Sequence, residues 1–266
     1  MAINKVEING EVKLDLTQDT VTAATLLKGA SAHDAAGNPV QGTANAAPTT
    51  PYMVVAAYEQ EQMTEYESAG YIKKAKLYNH TRIAAFEFTQ QYYLQNLDMS
   101  DPSNNITTID TNAFAGSLCR NVIIPKTVTL IGAGAFSSAT IGTMILPGSV
   151  TRVSGMAFSD VRGVNGVAPV IKLNEGLAVI ESNAFNSAGI AGEIEIPSTV
   201  TEIGESCFAF TDIATVICKP TTPPALGTEA FSSYTEEFTI KVPAASVAAY
   251  KAADGWKDYA SYIVAM

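Results

Sequence analysis

The chain has 266 residues, of which 47% are apolar and 16% charged, enough apolar material for a sizeable core. Its 26 acidic residues outweigh 16 basic ones, and the formal net charge of −10 sets a field that repels phosphate backbones and anionic surfaces, arguing against nucleic-acid binding. No window approaches eighteen consecutive apolar residues, so no transmembrane helix and no membrane insertion are expected.

The amino terminus, Met-Ala-Ile-Asn-Lys-Val-Glu-Ile-Asn-Gly, has neither an apolar stretch nor a cleavage-type site, so no secretory signal peptide is expected in the sequence as it stands. A protein acting outside the cell has then either lost its leader or leaves by another route. Residues 1–47 read as a small separate β/α head. Val6 and Ile8, then Val12, Leu14 and Leu16, alternate with polar residues around Asn9-Gly10, a strong hairpin signal. Residues 19–28 follow a short amphipathic helix pattern that Asp19 or Thr20 caps and Gly29 ends, and Gly37-Asn38 marks a further turn. The words Asp19-Thr-Val-Thr-Ala-Ala-Thr-Leu-Leu-Lys-Gly29 and Ala32-His-Asp-Ala-Ala-Gly-Asn-Pro-Val-Gln-Gly-Thr43 resemble a small module near the start of phage and prophage tail-associated proteins of gut bacteria. That resemblance implies attachment through the head to other virion tail proteins, a setting in which no signal peptide is required. A generic capping hairpin is the plainer reading.

Residues 48–105 read as a linker followed by a tyrosine-rich amino-terminal cap. Ala-Asn-Ala-Ala-Pro-Thr-Thr-Pro, residues 44–51, is linker by composition. Beyond it fall seven of the eleven tyrosines: Tyr52, Tyr58, Tyr66, Tyr71, Tyr78, Tyr92 and Tyr93. They suit either a contact surface or a cap that buries ring bodies and leaves hydroxyls wet, and the cap is the expectation. Residues 59–69 look helical, whereas residues 83–88 and 94–99 look like strands of degenerate early repeats.

Residues 106–243 are repetitive. One phrase is an aliphatic residue, three mostly small or polar residues, then Ala-Phe or Cys-Phe. It appears as Ile109-Asp-Thr-Asn-Ala-Phe114, Ile131-Gly-Ala-Gly-Ala-Phe136 and Val153-Ser-Gly-Met-Ala-Phe158, then ends at Phe185, Phe208 and Phe231. The steps between phenylalanines are 22, 22, 27, 23 and 23 residues, the period of a leucine-rich-repeat solenoid. The longest step contains residues 160–169. Between the phenylalanines lies a short apolar run that usually ends at proline and leads to Ser/Thr-Val-Thr: Val122-Ile-Ile-Pro125, Met144-Ile-Leu-Pro147, Ile194-Glu-Ile-Pro197 and Ile240-Lys-Val-Pro243. Asn174 replaces the proline in one repeat, and Lys219-Pro220 delays it in another. Period-two alternation predicts short strands that bury one face only when stacked in a parallel ladder, each closed by a proline that lacks an amide hydrogen. The phenylalanines are expected to fill the core.

These two phrases in fixed order resemble the BspA-like (Treponema-type) leucine-rich repeats of bacterial surface and phage-associated proteins. Cys119 departs from the pattern, standing where that family usually has leucine. The resemblance implies a solenoid, right-handed, of the leucine-rich-repeat (BspA-like) type, with short parallel strands. It also implies adhesion and protein–protein interaction, with a protein or glycan ligand on a bacterial or host surface. A virion (phage tail) location follows from the head, and a bacterial cell-surface or secreted adhesin is the alternative. A homo-oligomer is compatible with either.

Residues 244–266 are expected to form a carboxy-terminal helical cap, with a helix ending at Gly255 and Val247, Tyr250 and Trp256 covering the last coil. Cys119, Cys207 and Cys218 fall at core positions and read as free buried thiols. His33 and His80 lack metal-ligand spacing. Asp98, Asp101 and Asp110 straddle a turn and suit either a calcium site or a solvated loop, the loop being the expectation, and Glu236-Glu237 read as solvated turn residues. No nucleophile motif, phosphate loop or dinucleotide fingerprint is present, so neither catalysis nor a cofactor is expected. The natural platform for binding is the strand face turned outward, where Ile123, Ile145, Lys172, Glu195, Ile217 and Lys241 fall in register, with Asn121, Thr143, Val170, Glu193 and Thr239 beside them.

Overall fold

The computed structural model describes residues 74–91, 96–102, 104–232 and 238–266, together with the strands 5–8, 11–15, 31–33, 39–41 and 52–55. In the head, Lys5–Ile8 pairs antiparallel with Glu11–Asp15, and Ser31–His33 with Pro39–Gln41, so both hairpins bracket the turn dipeptides. The expected helices over residues 19–28 and 59–69, the linker 44–51, most of the tyrosines and Glu236-Glu237 lie outside the described residues. Tyr52 and Tyr78 are register partners of the antiparallel strands Tyr52–Val55 and Lys74–Tyr78.

The solenoid begins upstream of Ile106. Two-residue strands, Arg82–Ile83, Thr108–Ile109, Leu130–Ile131, Arg152–Val153, Val179–Ile180, Glu202–Ile203 and Ala225–Leu226, stack in parallel as one seven-stranded ladder. The second residue of each points inward, and Ile83, Ile109, Ile131, Val153, Ile180 and Ile203 are buried. Residues 83–88, expected as a strand, are instead the end of this short strand and the turn that follows it. Glu87 takes the place of the usual alanine, which hid a seventh copy of the phrase.

In each coil the turn inserts its phenylalanine into the core. Phe88, Phe114, Phe136, Phe158, Phe185, Phe208 and Phe231 form a single stack, with centroids 5.0 to 5.7 Å apart and ring planes within 9°. The backbone explains why small and polar residues surround them. The residue two before each phenylalanine, and the residue two after each from Phe88 to Phe208, are left-handed, as with Met156 (φ 58) and Asp160 (φ 56) around Phe158, or Ser206 (φ 49) and Phe210 (φ 60) around Phe208. Asn, Ser and Gly occupy such positions at least cost. The double bend aims alternate amides along the solenoid axis. Phe114 N–H donates to the Ala135 carbonyl at 2.7 Å, Phe136 to Ala157 at 2.7 Å and Phe158 to Ala184 at 2.7 Å. A second backbone ladder thus runs through the turns.

The Ser/Thr-Val-Thr segment has an equally local cause. Thr127 Oγ1 donates to the Ile106 carbonyl at 2.6 Å, Ser149 Oγ to Val128 at 2.6 Å and Thr199 Oγ1 to Leu177 at 2.8 Å, each a carbonyl one coil earlier. Where proline is missing, Asn174 Nδ2 donates to the Leu146 carbonyl at 2.7 Å.

The remaining flank carries the Ile-Pro strands, which pair in parallel in three groups. Lys74–Tyr78, Asn96–Asp98 and Asn121–Val122 form the first group, and Thr143–Ile145 with Val170–Lys172 the second. Ala191–Ile196, Asp212–Cys218, Thr239–Val242 and Ile263–Ala265 form the third. A further parallel ladder stacks Leu118–Cys119, Thr140–Ile141 and Arg162–Gly163, and in the longest coil one 3-10 turn, Val164–Gly166, follows it and swings outward. A Cβ on Gly163 would lie 1.5 Å from the Val167 carbonyl, so only glycine permits this detour.

The carboxy-terminal cap differs from expectation. Its helix is short, Val247–Ala252, and ends before Gly255, whose φ of 78 starts a 3-10 turn, Trp256–Tyr259. That turn brings Trp256 against Phe231 at 5.8 Å, and the strand Ile263–Ala265 then extends the sheet. Trp256 and Tyr250 are fully buried, with Trp256 Nε1 donating to the Pro224 carbonyl at 2.7 Å and Tyr250 Oη to Pro220 at 2.8 Å. The lid is therefore helix, turn and strand.

Candidate binding face

The outward row foreseen from the alternation exists, but its two halves differ. Ile123 is 80% exposed and Ile145 51% exposed, and Ile145 sits opposite Lys172 in register, as Thr143 does Val170. Lys172 is exposed and has no carboxylate partner among the described residues. Farther along, Glu195 faces Ile217, and Ile217 faces Lys241. Here the row is half-buried: Ile217 and Lys241 are only partly accessible.

Glu195 is not a free recognition group. Lys219 Nζ holds its carboxylate at 2.6 Å, and that hydrogen bond raises the lysine pKa above its ordinary value. The one-residue delay before Pro220 is what puts Lys219 at the end of its strand and within reach. Glu175 accepts from the Ser198 hydroxyl and amide, which lowers its carboxyl pKa. Val170, already on the outward face by alternation, is 46% exposed, and Val167, which the alternation did not reach, is 70% exposed beside the lengthened coil. A valine in an insertion between short strands was the signal available for Val167.

Groups with chemical potential are occupied by packing. Cys119, Cys207 and Cys218 are buried and unbridged. Burial pushes the Cys119 and Cys218 thiols up to about 12, and raises Cys207 as well. Cys218 Sγ lies 3.4 Å from Tyr250 Oη, and Cys119 Sγ lies 3.4 Å from Ser117 Oγ. His80 is buried, with Nε2 3.5 Å from the Glu87 carboxylate. The three aspartates do not converge: Asp98 accepts from Ser100, while Asp110 pairs with Arg82 at 3.4 Å. Among the described residues no three His, Cys, Asp or Glu side chains gather as a metal would require.

A model of the BspA type leucine rich repeat region matches residues 66–165 and 168–250, in six copies and over more than half of the chain. The chain belongs to the BspA-type leucine-rich repeat family. The match opens within the tyrosine-rich region, in agreement with a ladder that already includes Ile83 and Phe88. No curated protein matches the chain. Family membership accounts for the coil, the phenylalanine stack and the alternating strands. The outward face of this chain carries the detour at Val164–Gly166, the exposed aliphatic residues and the Glu195–Lys219 pair.

Proposed function

We propose that the chain is a non-enzymatic adhesion protein whose repeats present a rigid surface to a protein or glycan on a bacterial or host surface. The observation that carries this reading is the exposed aliphatic group Ile123, Ile145 and Val170, with Ile145 and Val170 on the paired strands Thr143–Ile145 and Val170–Lys172 and Ile123 just beyond the strand Asn121–Val122. Exposed aliphatic side chains gathered on one flank of a solenoid suit a contact surface. Thiols buried to a pKa near 12 and histidine packed within the coil favour binding over chemistry.

The finer reading places the protein on a virion as a phage or prophage tail-associated receptor-binding component. In it the head, residues 1–47, attaches to other tail proteins and the solenoid faces the host. Its support is the pair of sequence words in residues 19–43. A cell-surface adhesin of a gut bacterium is the second reading, favoured by the repeat family alone.

The test of the contact surface is binding of the purified chain to bacterial or epithelial cells, compared with an Ile123→Asp, Ile145→Asp, Lys172→Glu variant. Loss of binding with an unchanged circular dichroism spectrum is expected, and full retention removes this face. Mass spectrometry of purified phage particles decides the location: peptides of this chain in the particle support the tail reading, and their absence there with presence on the cell envelope supports the adhesin.

A further inference from the structure

Charge is segregated along the solenoid. Residues 111–174 carry five basic side chains, Arg120, Lys126, Arg152, Arg162 and Lys172, against a single acid, Asp160. Residues 175–232 reverse this, with eight acids and one base, Lys219. Arg152 is paired with Glu181 at 2.6 Å. Arg120, Lys126, Arg162 and Lys172 are exposed without a carboxylate partner among the described residues. Four of the five basic side chains of this stretch thus have no carboxylate partner among the described residues.

The same stretch holds a trough. It has an open volume of about 590 Å³ and is bounded by Arg120, Val122, Ile123, Gly142, Thr143 and Val164. Gly142 lies between Arg120 and Val164, where a Cβ would sit 3.4 Å from the Arg120 carbonyl and 3.8 Å from Val164 Cγ2. Val164 comes from the outward 3-10 turn of the lengthened coil, which therefore supplies one wall. Ile123 is shared with a second trough of about 740 Å³ whose lining includes Ile145, Lys126, Asn174 and one acidic residue, Asp101. Volumes of this size hold several side chains of a ligand rather than one atom group.

We propose that these troughs bind an extended acidic segment of a partner protein. An aliphatic side chain of the segment seats between Arg120 and Val164, and its flanking carboxylates meet Arg120 and Arg162 on one side and Lys126 or Lys172 on the other. The lining residues include no aromatic ring for a sugar or a base to stack on, and aliphatic walls beside guanidinium groups match alternating apolar and acidic residues. This occupant rests on the reading of the repeats as a contact surface.

The test titrates the full chain with a short fluorescein-labelled peptide of alternating Glu and Leu, with Lys–Leu and Ser–Leu peptides as controls, by fluorescence polarisation. The Glu–Leu peptide is expected to bind at least about tenfold more tightly than Ser–Leu, and to weaken as salt is raised. An Arg120→Ser, Arg162→Ser variant and a Gly142→Leu variant, which fills the first trough, should each weaken it about tenfold. The arginine pair is on the surface, so it serves even if the glycine variant does not fold. Equal affinity for the Glu–Leu and Ser–Leu peptides, unchanged affinity in the arginine variant, or displacement of the peptide by polygalacturonate at lower concentration each overturns the proposal. Cell binding that survives Arg120→Ser, Arg162→Ser but not the Ile123→Asp, Ile145→Asp, Lys172→Glu change keeps the adhesive reading and removes the acidic segment.

Discussion

Phe158 is the middle ring of the stack, 5.1 Å from Phe136 and 5.1 Å from Phe185, and fully buried. Replacing it with alanine removes a buried aromatic, which costs about 3–5 kcal/mol with the cavity included. Two stacked contacts also vanish, each contributing about 0.5–1 kcal/mol beyond burial. The expected loss is therefore about 4–7 kcal/mol. A Phe158→Leu change keeps most of the volume and should cost about 1–2 kcal/mol. The chain has one tryptophan, Trp256, packed on Phe231 at the end of the same stack, so its fluorescence reports the carboxyl coils while circular dichroism reports the whole ladder. With a urea m-value of about 3 kcal/mol/M, the alanine variant should lower the midpoint by about 1.5 M. Because coils stabilise only their neighbours, the two signals should also separate in the variant. A midpoint shift below about 0.3 M, or equal effects of alanine and leucine, would refute the reasoning.

Tyr250→Phe removes a hydrogen bond of 2.8 Å to the Pro220 carbonyl inside the cap, and stability should fall by about 1–3 kcal/mol in the same urea assay. Gly204→Ala would place a Cβ 2.3 Å from the Ser182 amide nitrogen, so a loss of about 1–3 kcal/mol is expected from crowding between coils. The thiols give a pH dependence of defined sign. Burial raises Cys119 and Cys218 from 9.0 to about 12, so the folded state keeps protons that the unfolded state releases. Stability is thus intact below about pH 9 and declines by about 1.4 kcal/mol per pH unit per thiol up to about pH 12. Urea midpoints measured across that range for the native chain and for a Cys119→Ala, Cys207→Ala, Cys218→Ala variant should show the slope shrinking in the variant.

The sequence exposed what repeats with chemistry attached to it. Ile109 to Phe114 and its copies declare both the inward aliphatic residue and the core ring, and the Ile-Pro strands declare their faces by alternation. What stayed hidden depends on backbone geometry. The left-handed residues flanking each phenylalanine are as different as Asn112, Met156 and Phe210, because the inter-coil amide bonds fix their φ whatever the side chain. The first coil was masked by Glu87 in place of alanine, although Phe88 completes the stack. The closing strand Ile263–Ala265 carries no repeat phrase at all, and pairs because the turn at Gly255 and Trp256 delivers it to the sheet edge. On the binding face, alternation located Ile123 and Ile145 but not the trough, which needs Gly142 and the detoured Val164 to meet across two coils.

Native-state hydrogen exchange read by mass spectrometry tests most directly that coils are held by one another. The amides of Phe88, Phe114, Phe136, Phe158, Phe185 and Phe208 donate to carbonyls of the next coil at 2.7 to 2.8 Å. They should form one continuous protected series, strongest in the middle coils and weakening towards each end. Two protected blocks separated by a freely exchanging coil, or an isolated stable block at one end, would contradict a ladder in which every coil depends on its neighbours.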